Sequence, residues 1–316
     1  MTKALKKIYL EISNICNLQC SFCPEVVREK KLMGLAQVDQ LLKAAEPLCQ
    51  QVCLHLMGEP LNHPHFNEIL SLAQKNNVKL NITTNGTLIH RLLLDHPHFE
   101  CIEQINFSLQ SYPDNHPDRD INQYLAPIFS FSLLALEKRP ELYINYRLWN
   151  QGSEWSENKV VTAIENFFDL KINSNVDVAW KKSKKLKGRL YLNYDSRFEW
   201  PALSAPNYGE IGTCHALDHH IGIHADGTVV PCCLDKEAKI KLGNAFVTPL
   251  AEILNNNLST ELRDGFKRGE LLHPLCQHCQ FATRFKKKVV DPSRAINQRP
   301  KSRTFEPLEV IDSLNP

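Results

Sequence analysis

Three cysteines stand just behind the first apolar run of this chain, Cys16-Asn-Leu-Gln-Cys20-Ser-Phe-Cys23, with C-x3-C-x2-C spacing. Three thiolates on so short a loop can bind three irons of a [4Fe–4S] cluster and leave the fourth iron open, whereas a structural cluster takes four. Zinc fits less well. It wants four ligands and its usual pair spacing is C-x2-C, which Cys20 and Cys23 meet and Cys16 does not. The plainest alternative is three buried thiols in a loop.

The chain has 316 residues and 11 cysteines. A secreted disulfide scaffold would be shorter and would carry an even number. The start, Met1 to Lys7, is basic, but the apolar run after it stops at Glu11 and Ser13, unlike a secretory signal. No stretch approaches the roughly 20 apolar residues that span a bilayer. The expectation is a cytoplasmic protein with reduced thiols. The net charge of +2 gives no global footprint for nucleic acid or membrane.

Apolar periodicity alternates between strand and helix. Ile8–Ser13, Val52–Met57, Val78–Thr84, Ile105–Leu109, Tyr143–Leu148 and Val176–Trp180 read as strands. Val38, Leu41, Leu42, Ala45 and Leu48 recur at helical spacing, as do Phe66, Ile69, Leu70 and Ala73, and then Val160, Val161, Ile164, Phe167 and Phe168. Such alternation predicts an α/β fold with a parallel sheet, here a partial (β/α)6 barrel. The pattern changes after about residue 181. A basic run leads to a possible hairpin arm at Leu190–Trp200, and helices are expected near Pro249–Asn256 and Thr260–Arg268. We expect a barrel domain over 1–185, a small C-terminal domain over 186–289 and a polar tail over 290–316.

The first cysteine set resembles that of the radical S-adenosylmethionine (radical SAM) family, with aromatic Phe22 before the last cysteine. Gly58-Glu59-Pro60 resembles the family's GGEP motif, with Met57 in place of its first glycine. Thr84-Asn85-Gly86-Thr87 ends the third strand and Ser108 the fourth. Alone, each of these turns is ordinary; the combination and its order are specific. The resemblance covers about residues 5 to 180. It implies that the amino and carboxylate groups of SAM chelate the open iron. An electron from a donor such as flavodoxin or ferredoxin then cleaves SAM to a 5′-deoxyadenosyl radical that takes hydrogen from substrate. It further implies SAM contacts from Gly58, Glu59, Pro60, Asn85 and Ser108, and from Arg147 toward the SAM carboxylate. These positions lie at strand C-terminal ends, where βα barrels build active sites. No catalytic residue is expected beyond the cluster and SAM.

A second set follows: Cys214, twelve residues, Gly227, four residues, Cys232, and then Cys276-Gln-His-Cys279. Four thiolates would close a [4Fe–4S] cluster. The segment is similar to the SPASM/Twitch extension of radical SAM enzymes in its shorter form, with one auxiliary cluster, and its spacing is nearest to that of alcohol-oxidising members. Zinc held by these cysteines, or with His215, His273 or His278, is the rival. Cys233 could replace Cys232, though the glycine spacing favours Cys232. Cys49, Cys53 and Cys101 read as core thiols.

Lys181, Lys182, Lys184, Lys185, Lys187 and Arg189 form one basic run, and Arg284, Lys286, Lys287 and Lys288 another. Solvated loops are the default, and an anionic partner is the alternative. Asp218, His219 and His220 could line the substrate side. The expected activity is radical SAM oxidation (dehydrogenation) or peptide modification of a small-molecule or peptide substrate. The alternatives are an iron–sulfur electron-transfer protein without SAM chemistry and a zinc-stabilised nucleic-acid-binding protein.

Overall fold

The computed structural model describes residues 5–151, 157–172, 183–197 and 199–285. The chain runs β1 (Leu5–Leu10), α1 (Leu35–Ala45), β2 (Cys49–Cys53), α2 (Phe66–Lys75), β3 (Leu80–Thr84), β4 (Ile102–Ser108), α3 (Ser111–Asn115), α4 (Ile121–Lys138) and β5 (Tyr143–Gln151). There follow α5 (Glu157–Phe168), β6 (Ser183–Lys187), β7 (Leu190–Ser196), β8 (His220–Ile223), β9 (Thr228–Val230) and β10 (Gly243–Asn244). The last elements are α6 (Leu250–Leu254), α7 (Asn257–Arg268) and α8 (Pro274–Gln277).

All the strands join one sheet in the order β10-β9-β8-β1-β2-β3-β4-β5-β7-β6. Pairing is parallel from β8 through β1 to β5 and β7, and antiparallel at the two edges. This is the expected α/β arrangement. Both expected domains contribute strands, because β8 pairs with β1 in register Ile8↔Ile221. Strands β1 and β2 end before their apolar runs do. Ile12, Leu54, Leu56 and Met57 are buried from irregular backbone instead. The expected strand Val176–Trp180 lies outside the described residues. The position beside β5 is filled by β7, which also forms a hairpin with β6.

Alternation along the parallel strands separates two faces. Ile8, Leu10, Ile105, Phe107, Ile144 and Tyr146 are fully buried in the core shared with the helices. α1 supplies Val38, Leu41 and Leu42, and α2 supplies Ile69 and Leu70, each worth about 1.5–3 kcal/mol on burial. The opposite face is polar. Asn81, Asn106, Asn145 and Asn193, from β3, β4, β5 and β7, hydrogen-bond side by side at 2.8, 3.0 and 2.7 Å.

The spacing marks no helix between β4 and β5, yet α4 there is 18 residues long. Pro127 lies inside it, and its buried residues, from Tyr124 through Ala135, cover a broad face rather than a narrow stripe. Helices α6 and α7 lie where expected. Among the described residues no helix is long and apolar enough to cross a membrane.

The β8–β9 hairpin encloses a fully buried histidine. Nε2 of His224 bonds the Asp235 carbonyl at 3.0 Å, and Nδ1 has no partner. Burial lowers its pKa to about 4. The unfolded chain therefore binds a proton that the folded one refuses. The stability this site contributes is full above about pH 6.5 and is lost as pH falls through 4, on the order of 3 kcal/mol. Chemical unfolding between pH 7.5 and 4.5 should show a shallower acid loss in His224→Gln than in wild type.

Candidate active site

Between β1 and α1 the chain makes a loop whose base is stapled shut. Asn14 donates to the Glu29 carbonyl and accepts from the Lys31 N–H, both at 2.7 Å. Cys16, Cys20 and Cys23 ride on this loop, Cys20 buried and the other two exposed. α3 grips it from one side. Asp114 accepts from Ser21 N–H and Oγ–H at 2.5 and 2.7 Å, and Asn115 accepts from Gln19 N–H at 2.8 Å. The Asn115 amide also donates to Cys20 Sγ at 3.2 Å. On another side Arg197 donates to the Ser21 carbonyl at 2.8 Å and Trp200 Nε1 to that of Phe22 at 3.2 Å. Nothing in the spacing of these five residues signals the role.

The turn after β2 lies directly against the loop. Gly58 has φ +78°, and a Cβ there would stand 2.3 Å from the Ser13 carbonyl oxygen, so only glycine fits. Glu59 N–H donates to the Ile15 carbonyl at 3.1 Å. The Glu59 carboxylate accepts from Leu61 N–H at 3.0 Å and from Asn85 N–H at 2.7 Å, tying the ends of β2 and β3 together. Burial raises its pKa to about 7 despite these bonds. Pro60 opens the short 3-10 turn that follows. Asn85 donates to Asn17 Oδ1 at 2.9 Å.

A buried ion pair ties this loop to the C-terminal segment. Arg28 donates to both Glu11 oxygens at 3.0 and 2.9 Å, and to the Lys236 carbonyl at 2.6 Å. Glu11 also accepts from Met57 N–H and Ala225 N–H, each at 3.2 Å. Lys236 Nζ returns to the Glu25 carbonyl at 2.7 Å, and Glu237 accepts from Val27 N–H at 3.1 Å.

That segment carries the second cysteine set. Cys214, Cys232, Cys276 and Cys279 all line one cavity, and Cys232 is coupled electrostatically to Cys233, Cys214 and Cys276. The adjacent Cys233 lines the same cavity and is coupled electrostatically to Cys53 and to Cys214. The three histidines of the zinc alternative are otherwise engaged. His273 caps α8, His278 Nδ1 meets the Ala205 carbonyl at 2.5 Å, and His215 stacks on His219 at 4.3 Å. Among the described residues no group of three or more His, Cys, Asp or Glu is placed to hold a single metal ion. Cys49, Cys53 and Cys101 are buried, as expected.

Both cysteine sets open onto one cavity of about 990 Å³. Gly58, Glu59, Asn85, Ser108 and Arg147 line it too, whereas Pro60 is buried in the turn behind. Arg147 donates to Thr83 Oγ1 at 3.3 Å and lies over the Trp149 ring at 4.5 Å. His220 lines the cavity, while Asp218 and His219 pair with each other at 3.5 Å. Arg284 pairs with Asp195 at 3.2 Å, and Arg189 donates to the Glu141 carbonyl at 2.7 Å. Lys181, Lys182 and Lys286–Lys288 lie outside the described residues.

The residues fit iron–sulfur groups and SAM. Loss of solvation pushes Cys20 to about 11, and the same effect with the neighbouring thiols Cys20 and Cys16 pushes Cys23 to about 12, so the bare thiols stay protonated, and iron would hold them as thiolates. Three buried polar atoms of cavity residues lack partners: Gln110 Oε1, His55 Nδ1 and Asn81 Nδ2. Such orphans are what a bound ligand satisfies.

Comparison with known proteins agrees with this geometry. The radical SAM superfamily matches residues 10–142, and the SPASM iron–sulfur cluster-binding domain matches residues 214–280. A tungsten-containing aldehyde ferredoxin oxidoreductase cofactor-modifying protein of Pyrococcus furiosus is 24% identical over 88% of both chains. The fold resembles that of BtrN, solved with AdoMet and 2-DOIA, at 18% identity and TM-score 0.55, over 89% of this chain and 94% of that one. It also resembles Streptococcus suis SuiB, solved with its precursor peptide SuiA, at 15% identity and TM-score 0.53, over 87% and 71%.

Removing Arg28 would leave the Glu11 carboxylate buried without its cation. Arg28→Ala should cost about 3–5 kcal/mol in urea unfolding. The double variant Glu11→Gln/Arg28→Met should recover part of that loss, as a double-mutant cycle would read directly.

Proposed function

This chain is a radical SAM enzyme with a C-terminal SPASM iron–sulfur cluster-binding domain, and we propose that it oxidises, or modifies within a peptide, a substrate held in the cavity between its two cysteine sets. It takes a [4Fe–4S] cluster with SAM and a SPASM auxiliary iron–sulfur cluster. The observation that carries the reading is that Cys16, Cys20 and Cys23 share one cavity with Cys214, Cys232, Cys276 and Cys279. When bound, the three-cysteine cluster with SAM supplies a 5′-deoxyadenosyl radical for hydrogen abstraction, and the auxiliary cluster supplies a sink for the electron left on the substrate.

The chain's own residues hold the parts in place. The Asn115 amide stabilises Cys20 as a thiolate ligand. Gly58 lets the turn after β2 meet the cysteine loop, and Glu59 holds that turn against Asn85. These two, with Asn85, Ser108 and Arg147, are the contacts we assign to SAM, Pro60 setting the turn behind them. Gln110 Oε1 adds a buried acceptor that the sequence did not single out. The relatives divide between substrate classes. BtrN was solved with the small molecule 2-DOIA and SuiB with a peptide, and the Pyrococcus relative is named for modifying a cofactor. An external one-electron donor of the flavodoxin or ferredoxin kind completes the reaction.

Anaerobically reconstituted protein given SAM and a strong reductant should form 5′-deoxyadenosine. Its absence from protein with full iron and sulfide content would refute the enzyme reading. A Cys16/Cys20/Cys23 triple-alanine variant should lose this product and keep about four irons at the auxiliary site.

A further inference from the structure

The three thiols of the cysteine loop are not hydrogen-bonded alike. Cys20 Sγ accepts from the Asn115 side-chain amide at 3.2 Å. Cys16 Sγ has only the Asn85 amide, at 3.9 Å, whose closer partner is Asn17 Oδ1 at 2.9 Å. Cys23 Sγ accepts from no side chain among the described residues.

The Asn115 amide cannot be turned around. Its Oδ1 accepts from the Gln19 N–H at 2.8 Å, and its Nδ2 donates to the Ser111 carbonyl at 2.8 Å, one turn back on α3. A backbone N–H must meet the oxygen and a carbonyl must meet the nitrogen, so these two partners decide which end faces the sulfur. Ser111 takes one of the two Nδ2 protons and leaves the other for Cys20 Sγ. Asp114, the residue before, fixes the same loop through Ser21 N–H and Oγ–H at 2.5 and 2.7 Å. Among the described residues Asn115 bonds to no thiol of the second set.

A hydrogen bond to a thiolate draws negative charge from the sulfur and strengthens as that charge grows. A cluster that has taken up an electron carries more charge on its thiolates, so a donor at this sulfur favours the reduced form. We propose that Asn115 is a positioning residue for the electron-transfer step: through Cys20 it raises the reduction potential of the three-cysteine cluster, so that a donor of the flavodoxin or ferredoxin kind can deliver its electron. The donor is oxidised by one electron, the cluster is reduced by one, and no covalent bond is made or broken at Asn115. The inference rests on the three-cysteine loop holding that cluster.

EPR-monitored redox titration of anaerobically reconstituted holoprotein reads the potential directly. The signal that changes when SAM is added belongs to the three-cysteine cluster, and the auxiliary cluster is the internal control. Asn115→Leu should make the first cluster about tenfold harder to reduce at a fixed donor ratio, a fall of about 59 mV for one electron, and leave the second where it is. Asn115→Asp keeps an acceptor for Gln19 and puts a negative charge in place of the amide donor, so its potential should fall at least as far. Trp200→Phe removes a bond to the same loop, at the Phe22 carbonyl, without removing a donor to sulfur, and should move neither potential. In wild type labelled with ¹⁵N-asparagine, pulsed EPR of the reduced cluster should show a weak ¹⁵N coupling that Asn115→Leu abolishes. Iron and sulfide content checks that each variant is loaded. An unchanged potential in Asn115→Leu or Asn115→Asp, an equal fall in Trp200→Phe, or no ¹⁵N coupling in wild type would each overturn the proposal. Wild type that forms 5′-deoxyadenosine with a potential indifferent to Asn115 sinks this inference alone. A potential that follows Asn115 in protein that forms no 5′-deoxyadenosine sinks the enzyme reading instead.

Discussion

The Glu11 carboxylate is the point on which the two cysteine-bearing segments meet. It is fully buried and accepts from Arg28 and from the backbone of Met57 and Ala225. Those partners belong to the cysteine loop, the turn before Gly58 and the β8–β9 hairpin. Burial pushes the carboxyl pKa up, while the guanidinium and the two N–H groups pull it back. A buried charge is tolerated only when its geometry is this complete. The consequence is a fixed relation between the loop that carries Cys16, Cys20 and Cys23 and the segment that carries Cys232.

The second constraint is the two-faced sheet. Its outer face is apolar and packs on the helices, as in any parallel α/β protein. Its inner face carries asparagines, a threonine, histidines and two cations, and so encloses a cavity of about 990 Å³ rather than a packed apolar core. The Asn81–Asn106–Asn145–Asn193 row satisfies most of its own hydrogen-bonding groups across four strands, which makes the polar floor rigid. Reactive chemistry needs such a floor: polar enough to orient a ligand, fixed enough to exclude water.

Much of this was legible in the residues. The strand–helix alternation through residue 168 follows from period-two and period-3.6 apolar spacing, and the two metal sets follow from thiol spacing. Other parts were hidden for identifiable reasons. α4 contains a proline and a broad apolar face, which blur its periodicity. Asn14, Asp114, Asn115 and Trp200 hold the cysteine loop through hydrogen bonds to backbone or sulfur across up to 178 residues of sequence. Such bonds leave no local pattern. Arg147 was recognisable as a cation at a strand end, yet its hydrogen bond to Thr83 depends on how β3 and β5 sit in the sheet.

The ligand chemistry is carried by the residues alone. Three thiols at short spacing, then four more around a glycine, fix what can be bound, because ligand number and type are covalent properties of the chain. The residues also determined the sheet class, because side-chain periodicity acts locally. The packed molecule alone settles that β8 pairs with β1 and that both cysteine sets line one cavity. Each of these depends on which distant segments lose their water together, and burial of that kind belongs to the packed molecule.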